Sequence, residues 1–125
     1  VEPLAASLGS DIVMPLDVTV DAQMDAAFAE LGQRWGALDI LVHAVAFAPR
    51  EAMSGGFVDS TSREAFAIAH DISSYSLTAL SRRAAPLMKG RAGSIITLVE
   101  CDQAVPHLAP RPLLNNQELT IYSPP

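Results

Sequence analysis

The chain has 125 residues, half of them hydrophobic, and a formal net charge of −6. That length buries one core and gives no ground for expecting two domains. An acidic chain whose eight Lys and Arg are scattered has no basic face for a phosphate backbone, so nucleic acid is not an expected partner.

Val1 opens no basic leader backed by an apolar run, so no secretory signal is expected. Asp11 to Leu16 (Asp-Ile-Val-Met-Pro-Leu) is short, apolar and rich in β-branched residues, which predicts a strand whose later hydrogen bonding Pro15 confines to one side or to a bulge. After Asp17-Val18-Thr19, the residues Met24, Ala27, Phe28, Leu31 and Trp35 recur at steps of three and four, the stripe of a helix packed on one face. Asp21 stands where a cap is useful, and Gly36 where a helix stops.

Leu38 to Val45 is almost continuously apolar, as expected of a strand covered on both faces in a parallel sheet. The wider stretch to Ala48 is interrupted by Asp39 and His43 and falls far short of the ~20 residues of a membrane helix, so no span is expected. Gly55-Gly56 marks a loop. Thr61-Ser62-Arg63-Glu64 then has the Thr-x-x-Glu form of a capping box, predicting a long helix through Phe66, Ile72, Tyr75 and Leu80 that ends before Pro86.

Ser94 to Val99 (Ser-Ile-Ile-Thr-Leu-Val) is a third predicted strand. Strand and helix alternate, which signals an α/β architecture. Beyond it the texture changes. Cys101 is the single cysteine, able to form no internal disulfide and standing at no metal-ligand spacing, which fits a reducing cytoplasm. Five of the nine prolines fall in the last twenty residues, and no regular element is predicted over 100–125. His43, His70 and His107 are 27 and 37 residues apart and lack the paired spacing of a zinc site, so they read as ordinary packed or surface histidines and no metal is expected.

Three stretches together resemble the enoyl-acyl carrier protein reductases, a divergent branch of the short-chain dehydrogenase/reductase superfamily. They are Leu38 to Pro49 (Leu-Asp-Ile-Leu-Val-His-Ala-Val-Ala-Phe-Ala-Pro), Ser62 to Phe66 (Ser-Arg-Glu-Ala-Phe) and Ala69 to Ser76 (Ala-His-Asp-Ile-Ser-Ser-Tyr-Ser). His43-Ala44-Val45-Ala46 stands where an ordinary ketoreductase of that superfamily carries Asn-Asn-Ala-Gly, which favours the enoyl reductase branch. The likeness covers roughly residues 1–98. It implies a partial Rossmann-like, doubly wound parallel sheet over 1–99, with strands at 11–16, 38–45 and 94–99 and a divergent proline-rich tail over 100–125.

The resemblance further implies NADH as cofactor and an enoyl thioester on acyl carrier protein as the intact parent's substrate, in fatty acid synthesis. Asp17 and Val18 match the family's Asp-Val pair at the adenine. Val45 matches a position beside the cofactor, and Ala48 one beside the acyl substrate. In the family the helix matching 61–82 packs on a neighbouring subunit, which implies a homo-oligomer; packing within the chain is the plainer alternative for its small residues Ala67, Ala69, Ser73, Ser74, Ser76 and Ala79.

The chain departs from the family in two places. No glycine-rich turn precedes Asp11 to hold a pyrophosphate on a helix N-terminus. The family's Tyr, which stabilises and protonates the enolate, is followed at the seventh residue by a Lys that holds the nicotinamide ribose. Here the tyrosines are Tyr75 and Tyr122 and the lysine is Lys89, so the pair cannot be formed. If Pro106-His107-Leu108 aligns with the family's Pro-Asn-Tyr, the Tyr position holds Leu108 and the Lys position Asn115, and neither supplies a proton or a fixed charge. No catalytic residue is therefore assigned. The chain reads as a fragment of the reductase, inactive alone; the alternative is a non-catalytic remnant that self-associates or pairs with a full-length subunit through the long helix.

Such sheets order their strands 3-2-1-4-5, so losing the first two would leave the 11–16 strand about 14 Å from the next. That strand is expected to pair with the 38–45 strand, to pair with another chain, or to detach.

Overall fold

The computed structural model describes residues 1–98 and 120–122. Its helices α1 (Glu2–Ser7), α2 (Asp21–Trp35), α3 (Phe57–Ser60), α4 (Arg63–His70) and α5 (Ser76–Met88) accompany strands β1 (Ile40–His43), β2 (Ser94–Thr97) and β3 (Thr120–Tyr122). β1 and β2 are parallel, pairing Leu41 with Ile95 and His43 with Thr97, and β3 adds antiparallel to β2 in the order β1-β2-β3. The architecture is α/β, as the alternation predicts. β3 is a short strand within the tail for which composition predicts none; the remainder of 100–125 lies outside the described residues, as does Val99 of the third predicted strand.

α2 forms where the three-and-four stripe places it. Met24, Ala27 and Phe28 are buried, Val20 is the N-cap with Asp21 just inside, and Gly36 stops the helix in the left-handed region at φ 72°. Together with Leu38, Ala79, Leu80, Ala84, Met88 and Ile95, Met24 and Phe28 make one core between the helices and one face of the sheet. The Leu38 N–H donates to the Leu87 carbonyl at 2.9 Å, joining the C-terminal ends of α2 and α5. From the second half of α5, Arg83 bridges to Asp21 at 2.9 Å and Asp25 at 2.6 Å in the first turns of α2. Both helices therefore run antiparallel to the strands that follow them, with their N-termini at the carboxyl edge of the sheet.

Four expectations need correcting. Residues 11–16 form no strand and hydrogen-bond to none of the described strands; Asp11 makes an ion pair to Arg34 at 3.4 Å. A strand exists only through its ladder, and with no partner beside it and no donor at Pro15 an apolar, β-branched stretch stays irregular. The 38–45 strand is shorter than its apolar run and is covered on one face. Leu41 and His43 turn towards the helices, whereas Ile40 and Val42 are 57% and 54% exposed, alongside Leu98 at 54%. A continuous apolar run records burial that the described residues do not supply.

The cap of the long helix is Ser62 rather than Thr61. The Ala65 N–H donates to Ser62 Oγ at 3.0 Å, and the buried Thr61 hydroxyl has no partner. With Ser62 as the cap the third helical residue is Ala65, so no reciprocal box forms, and Glu64 stands in the first turn where its charge favours the helix dipole. Finally, the helix passes through Pro86 to Met88. An interior proline costs about 3 kcal/mol, offset here by burying Met88 (5% exposed) and by the Leu38 bond to Leu87.

Between α4 and α5 the backbone stays helical but widens to a π-turn over Asp71–Tyr75. Its extra residue turns the following helix by about 100°, a shift that the sparse apolar positions Phe66, Ile72, Tyr75 and Leu80 do not register. Such turns are frequent at functional sites.

Candidate functional site

The carboxyl edge of β1 is organised by His43, 2% exposed at the strand's end. Its Nδ1 lies 3.0 Å from Thr97 Oγ1 and its Nε2 lies 2.8 Å from Ser76 Oγ. The Ser76 hydroxyl donates to the Ile72 carbonyl at 2.6 Å, so its oxygen can only accept from the ring. The network thereby assigns the proton to Nε2 and makes Nδ1 the acceptor of the Thr97 hydroxyl. Burial pushes the imidazole's pKa below its ordinary 6.5, partly countered by its own backbone hydrogen bonding. Of the two ordinary readings, packed or surface, His43 takes the packed one, and it joins β1 to β2 and to the start of α5.

Past His43 the chain leaves the sheet as Ala44-Val45-Ala46-Phe47-Ala48-Pro49. Ser73 holds this segment twice: the Phe47 N–H donates to Ser73 Oγ at 3.0 Å, and the Ser73 hydroxyl donates to the Phe47 carbonyl at 3.1 Å. Ser73 and Ser76 are three residues apart and so share a helix face. One grips the loop, the other the strand. Val45 and Ala48 are half-buried, Pro49 is buried, and Phe47 is 50% exposed.

Asp17 and Val18 precede α2, and the antiparallel run of α2 against β1 brings them to the same edge as Val45 and Ala48. Ligands of open parallel sheets bind there. Asp17 Oδ1 accepts from the Thr19 N–H at 2.9 Å and the Thr19 hydroxyl at 2.7 Å, which together hold its carboxyl below the usual range. The Asp17 N–H donates to Gln23 Oε1 at 2.8 Å, while Val18 packs on the core. Asp17 thus caps the turn into α2, the bland role for a residue at this place, and remains an exposed anion at the edge.

A dinucleotide tests this set. An exposed carboxylate beside a half-buried valine suits an adenosine, and the Val45 to Ala48 segment offers an apolar flank to a nicotinamide ring. The pyrophosphate is not provided for among the described residues. Gly9, Gly36, Gly55 and Gly90 take positive φ, yet none links the end of a strand to the start of a helix. The residues present fit the two ends of the coenzyme and not its middle.

The parallel pair with its helices and an exposed acid at the carboxyl edge defines part of a Rossmann-like nucleotide-binding fold. A crystal structure of the NADH-dependent enoyl-[acyl-carrier-protein] reductase from Aquifex aeolicus superposes with a TM-score of 0.78 at 47% identity, covering 85% of this chain and 42% of that one. One from Anaplasma phagocytophilum, in complex with NAD, gives 0.72 at 43% identity, covering 78% and 36%. The family profile described as Enoyl-(Acyl carrier protein) reductase matches residues 1–109, and the chain belongs to that family.

The enzyme FabI of Neisseria meningitidis serogroup B, an enoyl-[acyl-carrier-protein] reductase [NADH], is 51% identical over 98 residues, and its Aquifex aeolicus counterpart 48% over 109. These matches take in 78% and 86% of this chain, which spans only about two fifths of those relatives' length (38% and 40%). The profile match reaches residue 109, further than the likeness legible over 1–98. No helix among the described residues is long and apolar enough to cross a membrane.

Sequence reasoning missed Ser73, Ser76 and the π-turn. The available signal was a polar residue, His43, ending an otherwise apolar strand: such a side chain demands buried partners.

Proposed function

We propose that this chain forms the adenosine and acyl side of an NADH-dependent enoyl-acyl carrier protein reductase of cytoplasmic fatty acid synthesis, and that alone it does not turn over. Family membership with Val45 and Ala48 on the carboxyl edge carries the first half. A sequence without a Tyr-x6-Lys pair carries the second. NADH, when bound, supplies the hydride that reduces the enoyl double bond. In this reading Asp17 and Val18 hold the adenine end, Val45 flanks the cofactor, and Ala48 lies against the acyl chain of the substrate on acyl carrier protein. Their common task is to bind and orient.

Two measurements test this. NADH fluorescence should saturate weakly with the chain, and Asp17→Ala or Val45→Glu should abolish the saturable part; variants indistinguishable from the parent chain would remove the site. NADH oxidation with a crotonyl thioester should stay at the buffer rate, and turnover above it would overturn the second half. The long helix supports a second proposal, a homo-oligomer or pairing with a full-length subunit through 61–82, since Phe66 and Tyr75 on it remain 55% and 47% exposed. Its small residues divide: Ser76 and Ala79 are buried within the chain, whereas Ala67 and Ser74 face solvent.

A further inference from the structure

The loop that leaves β1 carries both Val45 and Ala48, yet it belongs to no helix or strand. Loops of this kind take their shape from side-chain bonds, and a cofactor flank is useful only if it is held before the cofactor arrives. The Phe47 peptide is engaged at both ends by one hydroxyl, Ser73 Oγ, at 3.0 and 3.1 Å. That hydroxyl sits in the π-turn, and the π-turn is itself fixed by Ser76, which accepts from His43 and donates to Ile72. The loop's geometry is thus referred to the end of the strand through two serines on one helix face.

We propose that Ser73 is a positioning residue for the coenzyme. By clamping the Phe47 peptide to the π-turn, it presets the segment from Val45 to Ala48 against which the nicotinamide end lies. This rests on the coenzyme reading given above. Ser73 need touch no ligand. Its effect passes through the backbone two residues beyond Val45 and one before Ala48.

The experiment uses the full chain with NADH as the probe and compares Ser73→Thr, which keeps the hydroxyl, with its near-isostere Ser73→Val and with Ser73→Ala. Amide exchange at Phe47, read by NMR, reports the clamp; NADH fluorescence reports affinity; thermal melting reports the fold. Losing the hydroxyl should speed Phe47 exchange about tenfold and weaken NADH about fivefold, the size expected of a lost hydrogen-bond pair. Threonine should restore both.

Unchanged Phe47 exchange in the valine and alanine variants would overturn the clamp. Faster exchange with NADH affinity equal to the parent chain's would overturn the positioning role alone. Faster exchange in a chain whose parent form binds no NADH would overturn the coenzyme reading and the positioning role with it. Should Ser73→Ala melt early, the Thr and Val pair decides, and equal affinities in that pair would overturn the proposal.

Discussion

His43 Nε2 lies 2.8 Å from Ser76 Oγ, and because the serine hydroxyl is already spent on Ile72, the ring must be the donor. The bond joins the end of the first parallel strand to the helix that crosses over to the second. Ser76→Ala leaves a buried ring N–H without a partner and should cost about 1–3 kcal/mol. Thr97→Val leaves Nδ1 an unpaired acceptor at the part-buried end of the ring, and should cost about 1 kcal/mol. Urea unfolding with unchanged m checks the order, and a Thr97→Val variant less stable than Ser76→Ala would contradict the assigned tautomer.

The same burial makes stability depend on pH. The folded pKa of His43 lies below its unfolded value near 6.5, because burial disfavours the charged ring. The unfolded chain therefore takes up the proton first, and linkage gives stability that rises with pH. The contribution is fully present above the unfolded pKa and is lost as pH falls towards the folded one. Urea midpoints should decline as pH falls through the unfolded value of 6.5 and below it, and His43→Leu should flatten that slope. An equal slope in the variant would remove His43 as its cause, since Asp39, lowered by its hydrogen bond to Arg91, loses its contribution only below its unfolded value of 3.8.

How far the sequence shows this arrangement differs by element. The stripe from Met24 to Trp35 and the stop at Gly36 specify α2 because a helix is a local structure whose hydrogen bonds lie within the segment. Asp11 to Leu16 has as good a strand composition as Ser94 to Val99, but a strand's bonds lie in its neighbour, and composition does not say whether one is present. Pro86 is overruled by tertiary contact at Met88. At the edge, Val45, Ala48 and Asp17 come from contiguous text, whereas Ser73 and Ser76 take their meaning from contacts 26 and 33 residues away in sequence.

Two glycines should respond to alanine with opposite sign. A Cβ at Gly93 would stand 3.0 Å from Met88 Cβ and 3.1 Å from its Cγ, inside ordinary contact with a core residue. Gly93→Ala should destabilise by about 1–3 kcal/mol through overpacking. Gly32 lies within α2, and its added Cβ would meet only Leu87 Cδ2 at 3.4 Å, the tip of a side chain that can give. Gly32→Ala should gain about 0.5–1 kcal/mol by limiting the unfolded chain. Thermal midpoints displaced in the same direction would show that α5 and its exit are not packed as described.

The uncovered sheet face bears on how the chain associates. Ile40, Val42 and Leu98 present apolar surface beside an unshared edge of β1 among the described residues, a surface that water disfavours and that a second strand could cover. Phe66 and Tyr75 present a different surface on the long helix. Sedimentation velocity on the full chain should show concentration-dependent association, and single substitutions separate the two surfaces. Val42→Lys places a charge on the sheet face while keeping its backbone, and Tyr75→Lys does the same on the helix. If the exposed face drives association, Val42→Lys abolishes it and Tyr75→Lys leaves it intact. The reverse result assigns association to the helix, as the proposed pairing through 61–82 requires, and a chain monomeric throughout would refute both surfaces as interfaces.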